Sequence, residues 1–386
     1  MSTLLEYIAE YGDVGFSELP LNEADVLLLC KVGYLPYEEV IGPEHDAAPI
    51  PFSEAAQRLF QHQDKKFRPL GLMIDETVSV YSMTMARTKR YGELKVAACV
   101  GLDRNHPAVQ FGAMTFLLPD GTFVIPYRGT NDSVYGWKED LDIIAKNGIP
   151  SYALALDYVT AAAAAHPGDF ILCGHSKGGH VALNTALKLP PALRERLIGV
   201  YNLDGPGYPD YSPYRTPEYR ALRPIYRHFV PDSSLVGMML AHDTDYEVVV
   251  SSQILGAKQH DVTTWQLDGT RIERAENGLT EMGRITDLVM RRMVLNATEK
   301  QIGAVERVAD RLIRGAGQPT LTALAQNVTP AVQGAAKAWL KTDRRDRRIF
   351  IGFFVGTGKN ALEAFRTVKR PRTDRRGRFR RLLQPK

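Results

Sequence analysis

The chain predicts an α/β fold: a mostly parallel sheet with flanking helices, a helical C-terminal appendage and a basic tail. Two observations carry the sheet and one the rest. Apolar runs of strand length at 170–173 and 197–203 are separated by a helical run at 177–189, and an alanine-rich helical stretch at 151–165 precedes them. Strand, helix, strand in that order makes a parallel sheet covered by its crossovers. After Gly278 the apolar positions change to helical spacing, as in Ile285, Leu288, Val289 and Ile302, Val305, Val308, Leu312.

Taken in order, residues 1–72 read as a helical segment packed on the core, with Asn22 placed to cap the run that begins at Glu23 and Pro36 interrupting the pattern afterwards. Residues 73–277 form the core. Short β-type runs are expected at 77–83, 95–99, 112–117, 122–126, 226–230 and 246–251, separated by turn residues. The segment 206–220, with tyrosines at 208, 211, 214 and 219, is expected to rim a pocket, because loops at the carboxyl ends of parallel strands are where such sheets keep their sites. Residues 278–340 are the appendage and 341–386 the tail.

Composition narrows the class. With 44% hydrophobic and 24% charged residues in 386, the chain fits a globular protein and excludes collagen or coiled coil. Three scattered cysteines, Cys30, Cys99 and Cys173, make no disulfide framework and no CxxC pair, which suggests a reducing, cytoplasmic setting. The N-terminus carries Glu6 and Glu10 where a secretory signal would be basic and then apolar. Charge is segregated. Residues 341–386 hold 16 Lys and Arg against 4 Asp and Glu, a net of +12, which leaves −8 on residues 1–340. Such asymmetry suggests electrostatic contact with an anionic membrane surface, or a solubilising tail. Nucleic acid is the less favoured partner, because the tail's aromatics do not interleave with its basic residues as stacking platforms would.

The chemistry centres on Gly174-His175-Ser176-Lys177-Gly178, where an apolar run meets a helix. G-x-S-x-G at a strand-to-helix turn is a nucleophile elbow. Its glycines let strand and helix backbones approach, its serine projects from the sheet, and the amide of the next residue sits at the helix N-terminus as an oxyanion donor. Ser176 is the candidate nucleophile, Gly174 and Gly178 the elbow glycines, and Lys177 supplies the amide, its side chain expected to point to solvent. His175 either packs beside Cys173 or lines the pocket.

A serine needs a base and an acid, which in this arrangement follow it in the chain. His180 lies on the elbow helix and His228 within a β-type run, which leaves His260 and, as the alternative, His242. His260 is favoured because it follows the last strand-like run. Asp232 and Asp204 both end apolar runs, and Asp232 is favoured over Asp204. A glycine-rich stretch at 352–360 lacks both the spacing and the Ser or Thr of a phosphate loop, and no H-E-x-x-H spacing implies a catalytic metal. No cofactor is expected.

The stretch Val124-Ile-Pro-Tyr-Arg128-Gly-Thr130, with Trp137 and Asp140-Leu-Asp142 after it, is similar to the "FRGT…W…DL" region of the class 3 lipases of the α/β-hydrolase superfamily. The resemblance implies that Thr130 supplies the second oxyanion donor, with Trp137 and Asp140 fixing its loop. The layout over residues 3–270 looks more closely like the bacterial Mbeg-like family, a lipase-like group. Together these readings predict a serine ester hydrolase acting on a lipid-like or acyl ester through an acyl-enzyme. The rival expectation is a lapsed hydrolase scaffold that binds partners through its basic tail.

Overall fold

The computed structural model describes residues 2–63, 77–104, 108–144, 148–243, 245–254 and 256–368. The N-terminal segment contains α1 (Leu4–Tyr11), α2 (Glu23–Val32), β1 (Ile50–Pro51) and α3 (Phe52–Gln63), followed by α4 (Thr77–Ala86) and α5 (Lys89–Gly92). The core runs β2 (Lys95–Arg104), β3 (Val109–Leu117), β4 (Phe123–Tyr127), α6 (Val134–Ile144), α7 (Pro150–Ala165), β5 (Phe170–His175), α8 (Lys177–Lys188), α9 (Pro191–Arg194) and β6 (Leu197–Leu203). It continues with α10 (Pro217–Leu222), β7 (Tyr226–Pro231), β8 (Glu247–Val249), α11 (Gly256–Gln259) and the small hairpin of β9 (Leu267–Asp268) and β10 (Arg271–Ile272). The appendage is α12 (Glu281–Asn296), α13 (Glu299–Ala316), α14 (Leu321–Gln326), α15 (Val328–Lys341) and α16 (Arg344–Val368).

The strands β1 to β8 lie side by side in chain order, antiparallel from β1 to β4 and parallel from β4 to β8. Every residue of β4 and β5 is buried, as a strand covered on both faces requires. Because the strand order never reverses, right-handed crossovers all fall on one face. Ala155, Val159 and Ala162 of α7 and Val181, Ala182 and Ala186 of α8 pack there with Phe123, Phe170 and Leu172. The other face is left to the N-terminal helices, whose Leu4, Leu27, Leu29 and Leu59 join Phe116, Val124 and Trp265.

That placement explains α2, which is buried from Ala24 to Val32 although it carries Asp25 and Lys31. Asn22 caps it as expected, accepting from the Ala24 and Asp25 amides. The Asp25 carboxylate takes hydrogen bonds from Arg90, Tyr7 and Tyr91, so the buried charge is paired. Arg128, just past β4, gives two hydrogen bonds to Glu38 and others to the Gly33 and Leu35 carbonyls, clamping the end of α2 to the sheet.

Two expectations change. Residues 77–83, read as β-type, lie in α4, because Val78, Tyr81, Ser82 and Met85 fall at i, i+3, i+4 and i+7 and bury one helical face. The tail is helical over its first half: α16 packs through Ala364 on Ile285 and Val289 of α12, while Arg307 of α13 holds Asp346 with two hydrogen bonds of 2.7 and 2.9 Å. The glycine-rich stretch at 352–360 lies inside this helix. Residues 369–386 and the expected boundary at 72/73 lie outside the described residues.

Candidate active site

At the junction of β5 and α8, Ser176 has φ 59° and ψ −132°. Backbone of this kind is costly for a residue with a side chain and persists only where its surroundings enforce it. The Ser176 amide donates to the Leu203 carbonyl on β6 at 2.9 Å. The expected elbow glycines are sterically required. A Cβ on Gly174 would lie 2.2 Å from the Gly178 carbonyl carbon, and one on Gly178 would lie 2.0 Å from the Tyr127 oxygen.

A cavity of about 230 Å³ opens over the elbow, lined by Ser176, His260, Thr130, Lys177, Asp140 and His175 among others. His260 Nδ1 lies 2.7 Å from Asp204 Oδ2. Asp204 is fully buried, and its other oxygen accepts from the Ser234 hydroxyl at 2.5 Å and the Gly237 amide at 3.1 Å. The carboxylate thus has partners for both oxygens and presents one edge to the imidazole. Among the described residues no hydrogen bond joins the Ser176 hydroxyl to His260; the two share the cavity wall.

Asp204, and not the favoured Asp232, is therefore the carboxylate beside His260. Asp232 accepts from Gln259 Nε2 at 2.8 Å, and its backbone carbonyl accepts from the Thr280 amide. It braces the loop that delivers the histidine. The alternative base, His242, is fully buried away from the cavity, 3.1 Å from Arg291 and 3.4 Å from Asp287 of α12. His180 sits where the elbow helix takes it: Nδ1 faces the Pro206 carbonyl, the Tyr152 hydroxyl meets Nε2, and burial lowers its pKa to about 4. His228 is a β7 residue, as expected.

Thr130, just before α6, Trp137 and Asp140 on α6, and Lys177 on α8 line the cavity together. The Thr130 hydroxyl donates to Asp140 Oδ2 at 2.7 Å, so Asp140 does fix this loop, and Trp137 stands on the same wall. Burial pushes the Asp140 carboxyl up to about 6, against the opposing pull of Lys177 and the Thr130 hydrogen bond. The Lys177 side chain, expected in solvent, is 1% exposed. Its ammonium donates to Glu139 Oε2 at 2.8 Å, the Gln110 carbonyl at 2.7 Å and Gln110 Oε1 at 2.9 Å. Glu139 in turn accepts from the Ser151 amide and hydroxyl and the Gln110 amide. One buried, fully partnered ion pair thus fastens the residue after the serine to the helix carrying Asp140, and so ties the segment of Lys177 to that of Thr130.

Sequence reasoning missed two supports. His175 Nε2 lies 2.7 Å from the His260 carbonyl, so that nitrogen carries the proton, and Nδ1 accepts from the Tyr34 hydroxyl at 2.9 Å. Burial and the neighbouring His260 ring hold His175 well below the usual imidazole range. A neutral His175 anchors the backbone of the loop that presents His260. Lys31 of α2 pairs with Asp261 at 2.9 Å; burial acts to raise the Asp261 carboxyl, but this ammonium and its hydrogen bonds outweigh it and lower it. The apolar sequence context of Tyr34 and Lys31 gave no hint of either contact, since their partners are more than a hundred residues away.

The apolar wall comes from Pro206, Val236, Met239, Leu240 and Val262. The segment 206–220 reaches the cavity through Pro206 and not through its tyrosines: Tyr208, Tyr214 and Tyr219 make a series of edge-on ring contacts ending on Tyr226, and none of the four loop tyrosines lines the cavity. Among the described residues no group of His, Cys, Asp or Glu is arranged to hold a metal ion.

A family model described as Mbeg1-like matches residues 85–312, more than half of the chain and all of the elements just described from β2 to α12. This chain belongs to the Mbeg1-like family. The match spans Ser176, Asp204 and His260 and stops short of α14 to α16, so the helical end of this Mbeg1-like protein lies beyond the family's matched region. No curated protein and no solved structure matches the chain.

Proposed function

We propose that this Mbeg1-like protein is a cytoplasmic serine ester hydrolase with an α/β-hydrolase fold, acting on a lipid-like or acyl ester. The observation that carries the reading is the 2.7 Å contact of His260 Nδ1 with the buried Asp204, made in the same cavity as a serine in strained backbone geometry. Asp204 accepts from Nδ1–H, which leaves Nε2 as the basic nitrogen. As substrate fills the cavity and excludes water, Nε2 takes the Ser176 proton and the serine oxygen attacks the ester carbonyl. The amides of Thr130 and Lys177 stabilise the oxyanion. The imidazolium then returns its proton to the leaving alcohol, and water activated by the same ring releases the acid. The Lys177 ammonium is fully engaged inside the protein, so it does not select an anionic substrate; the aliphatic wall of Val236, Met239 and Leu240 favours an apolar acyl group.

Fluorophosphonate labelling and hydrolysis of a short p-nitrophenyl ester test this directly. Ser176→Ala is expected to abolish both, and His260→Ala to abolish hydrolysis while His242→Ala retains it. A native protein that neither labels nor turns over would favour the scaffold reading, in which catalysis has lapsed.

A further inference from the structure

We propose that the outer face of α16 docks on an anionic membrane surface, lying in its plane. This inference does not rest on the hydrolase reading. The helix has an inner and an outer face. One is turned to the body through Ala364 and the Arg307–Asp346 pair. The other carries Ile351, Phe354 and Val355, which are 52%, 51% and 56% exposed. Arg344 and Arg348, also exposed, fall at i−7 and i−3 from Ile351 and so share its face. Leu340, at the end of α15 just before the turn into α16, is 71% exposed. An apolar block flanked by arginines on one helical face is the pattern of an interfacial helix, with the apolar side chains entering the headgroup boundary and the guanidinium groups meeting lipid phosphates. Among the described residues no helix is long and apolar enough to cross a membrane, so the contact is with the surface.

Charge decides among possible occupants. The sequence after α16, residues 369–386, adds nine Lys and Arg and one Asp, completing the net of +12 on residues 341–386. A second copy seated on this face would bring two such segments together against their mutual repulsion. Nucleic acid would use the charge but leave Ile351 and Val355 without a role. An anionic bilayer uses both.

The test is co-sedimentation of the full chain with vesicles of phosphatidylcholine alone or mixed with phosphatidylglycerol. The native protein is expected to sediment with the mixed vesicles only. Ile351→Glu/Phe354→Glu should weaken that binding by about tenfold or more, and Arg344→Glu/Arg348→Glu by a comparable factor that shrinks as salt is raised. Unchanged circular dichroism and thermal melting of both variants keeps the result free of misfolding. Equal sedimentation with neutral vesicles, undiminished binding of the Ile351/Phe354 variant, or no binding by the native chain would each overturn the proposal. So would a native dimer that Ile351→Glu/Phe354→Glu dissociates, or retention on DNA without binding to vesicles.

Discussion

Asp204 and Asp232 end neighbouring parallel strands in similar company, each following an apolar run, yet only one meets the histidine. Register explains the difference. His175 pairs with Leu203 and Leu203 with Phe229, so Asp204 stands level with Ser176 on the adjacent strand. Asp232 lies two residues beyond that level and one strand farther out, roughly another 4.8 Å away. Asp204 also turns sharply, at φ 51°, and its amide donates to the Phe229 carbonyl, which fixes the carboxylate inside the sheet edge. Position in the sheet, more than sequence context, decides which carboxylate meets His260.

The comparison can be broken most easily at Asp204. Asp204→Asn is expected to lower kcat/KM for ester hydrolysis by about 10⁴-fold, because His260 loses the partner that orients its ring. Asp232→Asn, which disturbs the loop only through Gln259, should cost about tenfold at most. Equal losses would remove the distinction between the two strand ends.

The elbow's other buried charge gives the next largest effect. Lys177→Met leaves Glu139 buried without its cation and is expected to destabilise the fold by about 3–5 kcal/mol in denaturant titration. Lys177→Met/Glu139→Leu should recover much of that loss. The smallest effect is the pH response of Asp140. Its carboxyl is raised from 3.8 to about 6 in the folded protein, so the protonated form is the favoured one. Its contribution to stability is whole below the ordinary value and fades as pH rises through about 6. Asp140→Asn should flatten that slope in unfolding curves taken across this range, while its amide oxygen still accepts from Thr130.

Much of this was legible locally. The G-x-S-x-G turn reported strand, helix and serine at once, because a tight junction leaves no choice of residue at 174 and 178. His260 followed from chain order. What stayed hidden depended on partners distant in sequence: Lys177 read as a surface cation until Gln110 and Glu139 enclosed it, and His175 gained its role only from Tyr34 and the His260 carbonyl. Residues 77–83 misled for a different reason. Their β-branched and aromatic composition favours a strand, and burial of one face against the N-terminal helices decided for helix instead.

Mass-spectrometric mapping of a fluorophosphonate adduct on the native protein tests the central claim most directly. The geometry predicts a single adduct on Ser176, formed rapidly in the Asp232→Asn protein and lost or slowed by orders of magnitude in Asp204→Asn and His260→Ala. An adduct on another residue, or Ser176 labelling indifferent to His260, would contradict it.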